Sequence, residues 1–344
     1  MNVFIAPKQI RKNIVESQLL PFLKYLPGNN VIWLDSKIHR KVYLPPFLKG
    51  KTLFYQLLFT RLLKEKSSIN NIYTRSVFDF LCCFIIKKIT FSRWKILYDF
   101  RASLFIEVKY RNRKFYRLWV IYILELFVFK KADTLNCVSN TLKSSLISLY
   151  GNRNINIIPC ASSFKVIRND EIKNQTIKFV YVGSLTKYQC FPETLKLMEY
   201  ISQNIENSEF HIITLDVKEA NTLLQGFDCN KFKVHSMNQE EVGEYISEMS
   251  FGFLLREDLP INNVSSPIKF AEYLSSGVIP IMTKGIGDYS ELTVDENLGV
   301  VLSNPKELIN IKQLYDLLND DTYSRLFKQA SKLKWEFVLK NFEW

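Results

Sequence analysis

The sequence is short of the residues that hold metals and build disulfide frameworks. Its three histidines, His39, His211 and His235, share no ligand spacing, and its six cysteines form no C-x-x-C pair, with Cys82 and Cys83 adjacent. That set argues against a zinc site or a disulfide scaffold and fits a reducing compartment. There is no D-x-D to hold a divalent cation under a diphosphate, so chemistry built on that motif is unsupported. Walker, H-E-x-x-H and G-x-S-x-G sequences are missing too, and no residue declares itself as a catalytic base. Long apolar runs are also absent: Leu118 to Phe129 is short, carries Glu125 and does not reach across a bilayer. Met1 to Pro7 reads as a first strand without the charged start and cleavage site of a signal peptide, so a cytoplasmic protein is expected. No internal repeat or low-complexity segment interrupts the chain.

Charge, by contrast, is plentiful and unevenly placed. Among 344 residues the net charge is +12, yet residues 1–170 hold 29 Lys and Arg against 9 Asp and Glu, leaving 17 against 25 afterwards. Two domains with different partners are implied. Short apolar runs alternate with amphipathic segments in both halves. Strands are expected at Asn2–Ala6, Val31–Leu34, Asn71–Thr74, Ile96–Tyr98, Thr134–Val138 and Asn156–Ile158, with helices over 14–26, 52–66, 77–88, 104–131 and 140–150. After the polar stretch Arg168 to Thr176 the rhythm restarts. Strands are expected at Lys178–Val182, Phe210–Leu215, Lys233–His235, Phe251–Leu255 and Val278–Met282, with helices over 192–205, 217–225, 239–248 and 267–276. Asn238 and Glu241 suit a capping box, and 307–342 reads as helical. Repeated strand–helix alternation predicts an α/β chain with two doubly wound parallel sheets.

The segment Ser265-Ser266-Pro267-Ile268-Lys269-Phe270-Ala271-Glu272-Tyr273-Leu274-Ser275-Ser276-Gly277 predicts a helix with Ser266 as N-cap and Pro267 at its first position. Lys269 then falls in the first turn, where the helix dipole disfavours a cation unless a phosphate shares the site. Glu272 lies on the same face and offers a carboxylate to a sugar diol. An ordinary amphipathic helix with a surface Lys–Glu pair fits the pattern equally well.

The run Ser-Pro-x-Lys-Phe-x-Glu-Tyr-Leu-x-x-Gly, with Tyr181-Val182-Gly183-Ser184-Leu185 and Gly285-Ile286-Gly287-Asp288, resembles the donor site of family 4 glycosyltransferases. The likeness is specific over roughly residues 178–300 and looser before that. It implies a retaining enzyme of the GT-B fold, with two Rossmann-like domains facing a central cleft. Such enzymes are common in bacterial capsule and lipopolysaccharide assembly. Residues 1–167 would form the basic, acceptor-side domain and 177–306 the donor-side domain. Residues 307–344 would form a helical segment returning to the first domain. No cofactor is implied beyond a nucleotide-diphosphate sugar as co-substrate, UDP-linked in preference to GDP-linked, and no metal. The acceptor would be a saccharide, or one linked to a polyprenyl diphosphate, met at the inner face of the cell membrane.

Within that likeness, Arg256 and Lys187 would neutralise the leaving diphosphate. Gly183, Ser184, Ser265, Ser266, Lys269 and Glu272 would bind the donor. Tyr188 or Gln189 would meet the base. Arg256 could equally pair with Glu257 or Asp258. Ser184 stands where many relatives carry arginine, Val264 where many carry a first glutamate, and Pro7-Lys8-Gln9 where many have a Gly-Gly loop. Arg75, Asp99 and Arg101 resemble acceptor-side loop residues, although Asp99–Arg101 reads equally as a structural ion pair. Lys109 to Trp119 interleaves cations with aromatic rings, which suits an anionic membrane surface, a solvated helical face or a nucleic acid. The acidic second half carrying the motifs weighs against nucleic acid as partner. Two further readings stay open: a nucleotide-sugar epimerase on the same fold, and a non-catalytic basic binding protein.

Overall fold

The computed structural model describes residues 1–6, 15–26, 28–34, 58, 60–111, 115–166, 176–340, 342 and 344. The Pro7-Lys8-Gln9 loop, Asn112 to Lys114, the polar stretch from Arg168 to Gln175 and the first part of the helix expected over 52–66 lie outside them. The chain divides into two compact units, Met1–Pro159 with Val338–Trp344, and Cys160–Phe337.

The first unit is a six-stranded parallel sheet of β1 (Asn2–Ala6), β2 (Asn30–Leu34), β3 (Asn71–Thr74), β4 (Lys95–Phe100), β5 (Thr134–Cys137) and β6 (Asn156–Ile157). Its spatial order is β2-β1-β3-β4-β5-β6. Near-continuous apolar runs form these strands because helices cover both faces of a parallel sheet; Val3, Phe4 and Ile5 are all buried. Phe4 packs on Tyr73 at 4.9 Å between ring centres. The end of the chain completes this core, with Trp344 5.5 Å from Phe4 and Phe342 5.7 Å from Phe22.

The single helix expected over 104–131 is two, Leu104–Tyr110 and Phe115–Lys131. Glu125 explains the arrangement. Its buried carboxylate accepts the Leu104 and Phe105 N–H groups at 2.7 and 3.0 Å and the Ser103 and Tyr150 hydroxyls at 2.9 and 2.8 Å. The one acidic residue of the Phe115–Lys131 helix thus holds the start of its neighbour, where the helix dipole favours an anion.

The second unit is a parallel sheet of β7 (Ile177–Val182), β8 (Ser208–Ile213), β9 (Phe232–His235), β10 (Phe251–Leu254), β11 (Ile279–Thr283) and β12 (Val300–Leu302). Its order is β12-β11-β10-β7-β8-β9. Four phenylalanines stack across it: Phe251, Phe179, Phe210 and Phe232 succeed one another at 5.3, 5.1 and 4.8 Å. The strand β12 was not expected, since three residues carry too little pattern to be read. The helix expected over 307–342 is three short ones, Ile311–Leu317, Asp320–Lys332 and Trp335–Val338. Asn319 caps the second by accepting the Thr322 N–H at 2.9 Å. The Asn238 N–H donates to the Glu241 carboxylate at 3.0 Å, as a capping box requires.

Each sheet reverses its winding once. From β7 the chain goes to β8 on one side and then reaches β10 on the other, and β1, β2 and β3 repeat the pattern. Ligands of doubly wound sheets sit beyond the carboxyl ends of the strands at that switch point.

Candidate functional site

At the switch point of the second unit, Gly183 follows β7 and Arg256 follows β10. The Ile268–Ser275 helix returns the chain to β11. Arg256 is buried, and its backbone is clasped to the end of β11: its N–H donates to Thr283 Oγ1 at 2.8 Å, and that hydroxyl donates back to its carbonyl at 2.6 Å. Its Nη2 donates to Gln189 Oε1 at 2.9 Å. Lys269 Nζ donates to the same oxygen at 3.0 Å. Two cations therefore meet on one neutral amide, and among the described residues no carboxylate lies within ion-pair distance of either. The Tyr181 and Tyr188 rings flank them, 5.2 Å from Lys269 Nζ and 5.3 Å from the Arg256 guanidinium carbon.

Burial, reinforced by Arg256 and opposed by Glu272, pushes the Lys269 ammonium down to about 7. Burial also lowers Arg256, which stays a cation at neutral pH. Gly183 has a φ of 147°, and any Cβ there would strike Lys269 Nζ. Glycine at the end of β7 is thus the condition for the ammonium lying over the backbone.

Glu272 is buried one turn further along the same helix. Gln239 Nε2 donates to its Oε1 at 2.6 Å. Burial raises its carboxyl to about 7, against the pull of that hydrogen bond and of Lys269. Ser266 corrects the expectation of an N-cap. The helix starts at Ile268 behind Pro267, with no side-chain cap. The Ser266 hydroxyl instead accepts the Cys160 N–H at 3.0 Å and shares a hydrogen bond with the Tyr289 hydroxyl at 2.9 Å, and Tyr289 donates to the Cys160 carbonyl at 3.1 Å. A serine engaged with a segment more than a hundred residues away cannot also cap its own helix. Ser265 donates to the Asn262 carbonyl at 2.6 Å. Its own carbonyl lies so close to Gly287, at φ 52°, that a side chain there would collide with it.

Ser184 lies partly exposed beyond Gly183, its hydroxyl 3.2 Å from that of Thr186 and its carbonyl accepting the Tyr181 hydroxyl at 2.5 Å. Lys187 is exposed in the short Lys187–Gln189 turn and is not among the groups that meet at Gln189. Arg256 makes no ion pair with Glu257 or Asp258.

In the first unit Arg75, Asp99 and Arg101 come together at the carboxyl ends of β3 and β4. Asp99 is buried; its Oδ2 takes Arg101 Nε at 2.5 Å, Arg75 Nε at 3.3 Å and the Tyr73 hydroxyl. Arg75 also donates to Tyr73 Oη at 2.7 Å and Gln18 Oε1 at 3.1 Å. The carboxylate is thereby fixed, and the two guanidiniums outnumber it. His211 and His235 stack at 5.5 Å in the second sheet and share the Tyr245 hydroxyl at 2.8 and 2.7 Å. Burial pushes His211 down to about 4 and lowers His235, so the pair is neutral and structural.

In the stretch from Lys109 to Trp119, Tyr110, Phe115, Tyr116 and Trp119 stand exposed, and Val120 and Ile123 extend that apolar face along the Phe115–Lys131 helix. Among the described residues no helix is long and apolar enough to cross a membrane.

The sequence points to Gln189 only as a base contact and does not mark Gln239, Cys160 or Tyr289. No local pattern marks an amide that bridges two cations, nor a tyrosine that fastens a loop to another segment.

No family model matches the sequence, and no curated protein is similar enough in sequence to match. Solved structures do resemble it. A sucrose-phosphate synthase from Thermosynechococcus elongatus has a TM-score of 0.72 at 13% identity, over 98% of this chain and 96% of that one. The Anabaena protein HepE, in complex with UDP-glucose, has 0.69 at 13%, over 98% and 97%. A glycosyltransferase from Rickettsia africae has 0.64 at 13%, over 98% and 95%. Likeness at such identity speaks to architecture, and by architecture the chain is a GT-B fold of two Rossmann-like units.

Proposed function

We propose that this protein is a retaining glycosyltransferase that moves a hexose from a nucleotide-diphosphate sugar to a saccharide acceptor. The observation that carries this reading is the pair of cations, Arg256 and Lys269, held on one neutral amide at a switch point. A diphosphate between them would supply the missing counter-charge, and its oxygens would replace Gln189 as acceptor. In the reaction the bond from the anomeric carbon to the diphosphate oxygen breaks. The acceptor hydroxyl attacks from the same face, and its proton passes to the departing phosphate. No dedicated carboxylate base is needed. Arg256 and Lys269 stabilise the charge growing on the diphosphate, with Lys187 as a further cation from the turn that carries Gln189. Ser184, Ser265 and Ser266 border this donor site. Glu272 accepts the ribose hydroxyls and fixes the register of the donor.

A UDP-sugar is favoured because the structurally similar HepE binds UDP-glucose. The acceptor is assigned to the basic first unit, where Arg75 and Arg101 suit an anionic, diphosphate-linked lipid and Asp99 orients them. The exposed aromatic face of the Phe115–Lys131 helix suits an anionic membrane surface; our reading is of an enzyme acting without metal at the cytoplasmic face, in bacterial surface-polysaccharide synthesis.

The test is a thermal-shift screen against UDP-, GDP-, CMP- and dTDP-sugars without metal. One nucleotide class should stabilise the wild type. Arg256→Ala, Lys269→Ala and Glu272→Ala should each weaken that ligand by about tenfold or more, the order expected for a lost charged hydrogen bond. Equal affinity in all three folded variants would reject the site.

A further inference from the structure

The Val77–Ile89 helix closes in an unusual way. The Thr90 N–H bonds to the Ile86 carbonyl at 2.9 Å and the Ser92 N–H to the Lys87 carbonyl at 3.0 Å, with Phe91 between them at φ 51°. Glycine normally fills this left-handed position, because a bulky side chain is strained there. Phe91 is 90% exposed, so packing within the protein does not repay the strain. Ile85 and Ile89, one turn apart on the same helix, are exposed beside it.

Thr90 and Ser92, on either side of Phe91, line a groove of about 560 Å³ between the segments that lead into β3 and β4. Lys66, Arg93 and Lys95 line it as well, and no acidic residue does. Among the described residues none of the three cations has a carboxylate within ion-pair distance. The Thr90 hydroxyl donates to the Ile86 carbonyl at 2.7 Å and is bonded to the Ser92 hydroxyl at 2.5 Å, so what the groove offers beside the apolar prong is its three cations. We propose that this groove takes the phosphate-bearing headgroup of an anionic lipid while Phe91 and Ile89 seat among the upper acyl chains. This rests on the reading that the first unit meets a membrane, and it adds a site distinct from both the donor site and the Phe115–Lys131 helix.

The experiment is sedimentation of the full chain with phosphatidylcholine vesicles, with and without phosphatidylglycerol. The wild type should prefer the anionic vesicles. Phe91→Gly should bind them about tenfold more weakly, from the loss of one inserted aromatic side chain. Its melting temperature should hold or rise, because glycine suits the turn; a merely structural phenylalanine would not separate the two readouts. The Arg93→Ser/Lys95→Ser variant should lose the preference for phosphatidylglycerol. If the wild type shows no preference, the membrane reading falls and the groove assignment with it. If Trp119→Ser weakens binding while Phe91→Gly and Arg93→Ser/Lys95→Ser bind as wild type, the membrane reading stands and this proposal is overturned. Stabilisation by glycerol 3-phosphate without any vesicle binding would make the groove a site for free phosphate, and would overturn the lipid assignment too.

Discussion

Lys269 and Glu272 are one turn apart and both poised near pH 7 for the same reason: burial penalises the charged form, lowering the ammonium of one and raising the carboxyl of the other. A diphosphate beside Lys269 would restore its proton, so donor binding takes up a proton wherever the free lysine is neutral. Above about 7, affinity for a UDP-sugar, whose diphosphate does not titrate near pH 7, should weaken by up to about tenfold per pH unit. Calorimetry across pH 6 to 9 (roughly the range spanning the Lys269 value) checks this, and Lys269→Met should flatten the profile. An affinity that rises through 7 would instead assign the pH dependence to ionisation of Glu272. Gln189 allows a second test at this scale. Gln189→Glu places a carboxylate between Arg256 and Lys269, where the diphosphate should sit. Its melting temperature should rise while UDP-sugar affinity falls at least about tenfold, since charged hydrogen bonds are among the strong ones. Tighter donor binding would mean that the two cations do not face the diphosphate.

The Ile268–Ser275 helix is positioned from outside itself. Phe270 stacks on Tyr289 at 4.3 Å, and the Tyr289 hydroxyl joins Ser266 to the Cys160 carbonyl. The start of the helix is therefore fastened to the segment that opens the second unit rather than closed by its own cap. Tyr289→Phe keeps the stack and removes the buried hydroxyl, which should destabilise the protein by about 1–3 kcal/mol in denaturant titration. Donor affinity should change far less than in Arg256→Ala, because Lys269 and Glu272 stay on an intact helix. A loss of affinity matching that of Arg256→Ala, with stability unchanged, would move Tyr289 into the donor site.

At the scale of the whole molecule, the chain's last residues belong to the core of its first unit. Phe342 and Trp344 cover Phe22 and Phe4, neither of which is exposed. Removing Phe342 to Trp344 should accelerate hydrogen exchange in β1 and β3 while leaving β7 and β10 as protected as before, since opening free energies follow local packing. Uniform acceleration in both units would show that their stabilities are not separable. The charge division works at the same scale: a basic first half suits anionic surfaces, and in the second half, where 25 acidic residues outnumber 17 basic ones, Arg256 and Lys269 form a local positive pair at the switch point.

The sequence by itself determined the elements. Short, mainly apolar runs placed eleven of the twelve strands among the described residues, because a strand covered on both faces is apolar over most of its length. It also marked Gly183 and Arg256 at strand ends, and Lys269 in a first helical turn with Glu272 one turn on, a matter of local spacing. Tertiary structure decided who meets whom. That Gln189 holds both cations, that Gly183 must lack a side chain because Lys269 lies over it, that Ser266 bonds to Cys160 rather than capping its helix, and that Arg75 joins the locally spaced Asp99–Arg101 pair all depend on contacts between distant segments. A hydrogen-bonding group takes whichever partner the packed fold brings within about 3 Å, and one-dimensional spacing does not encode that choice.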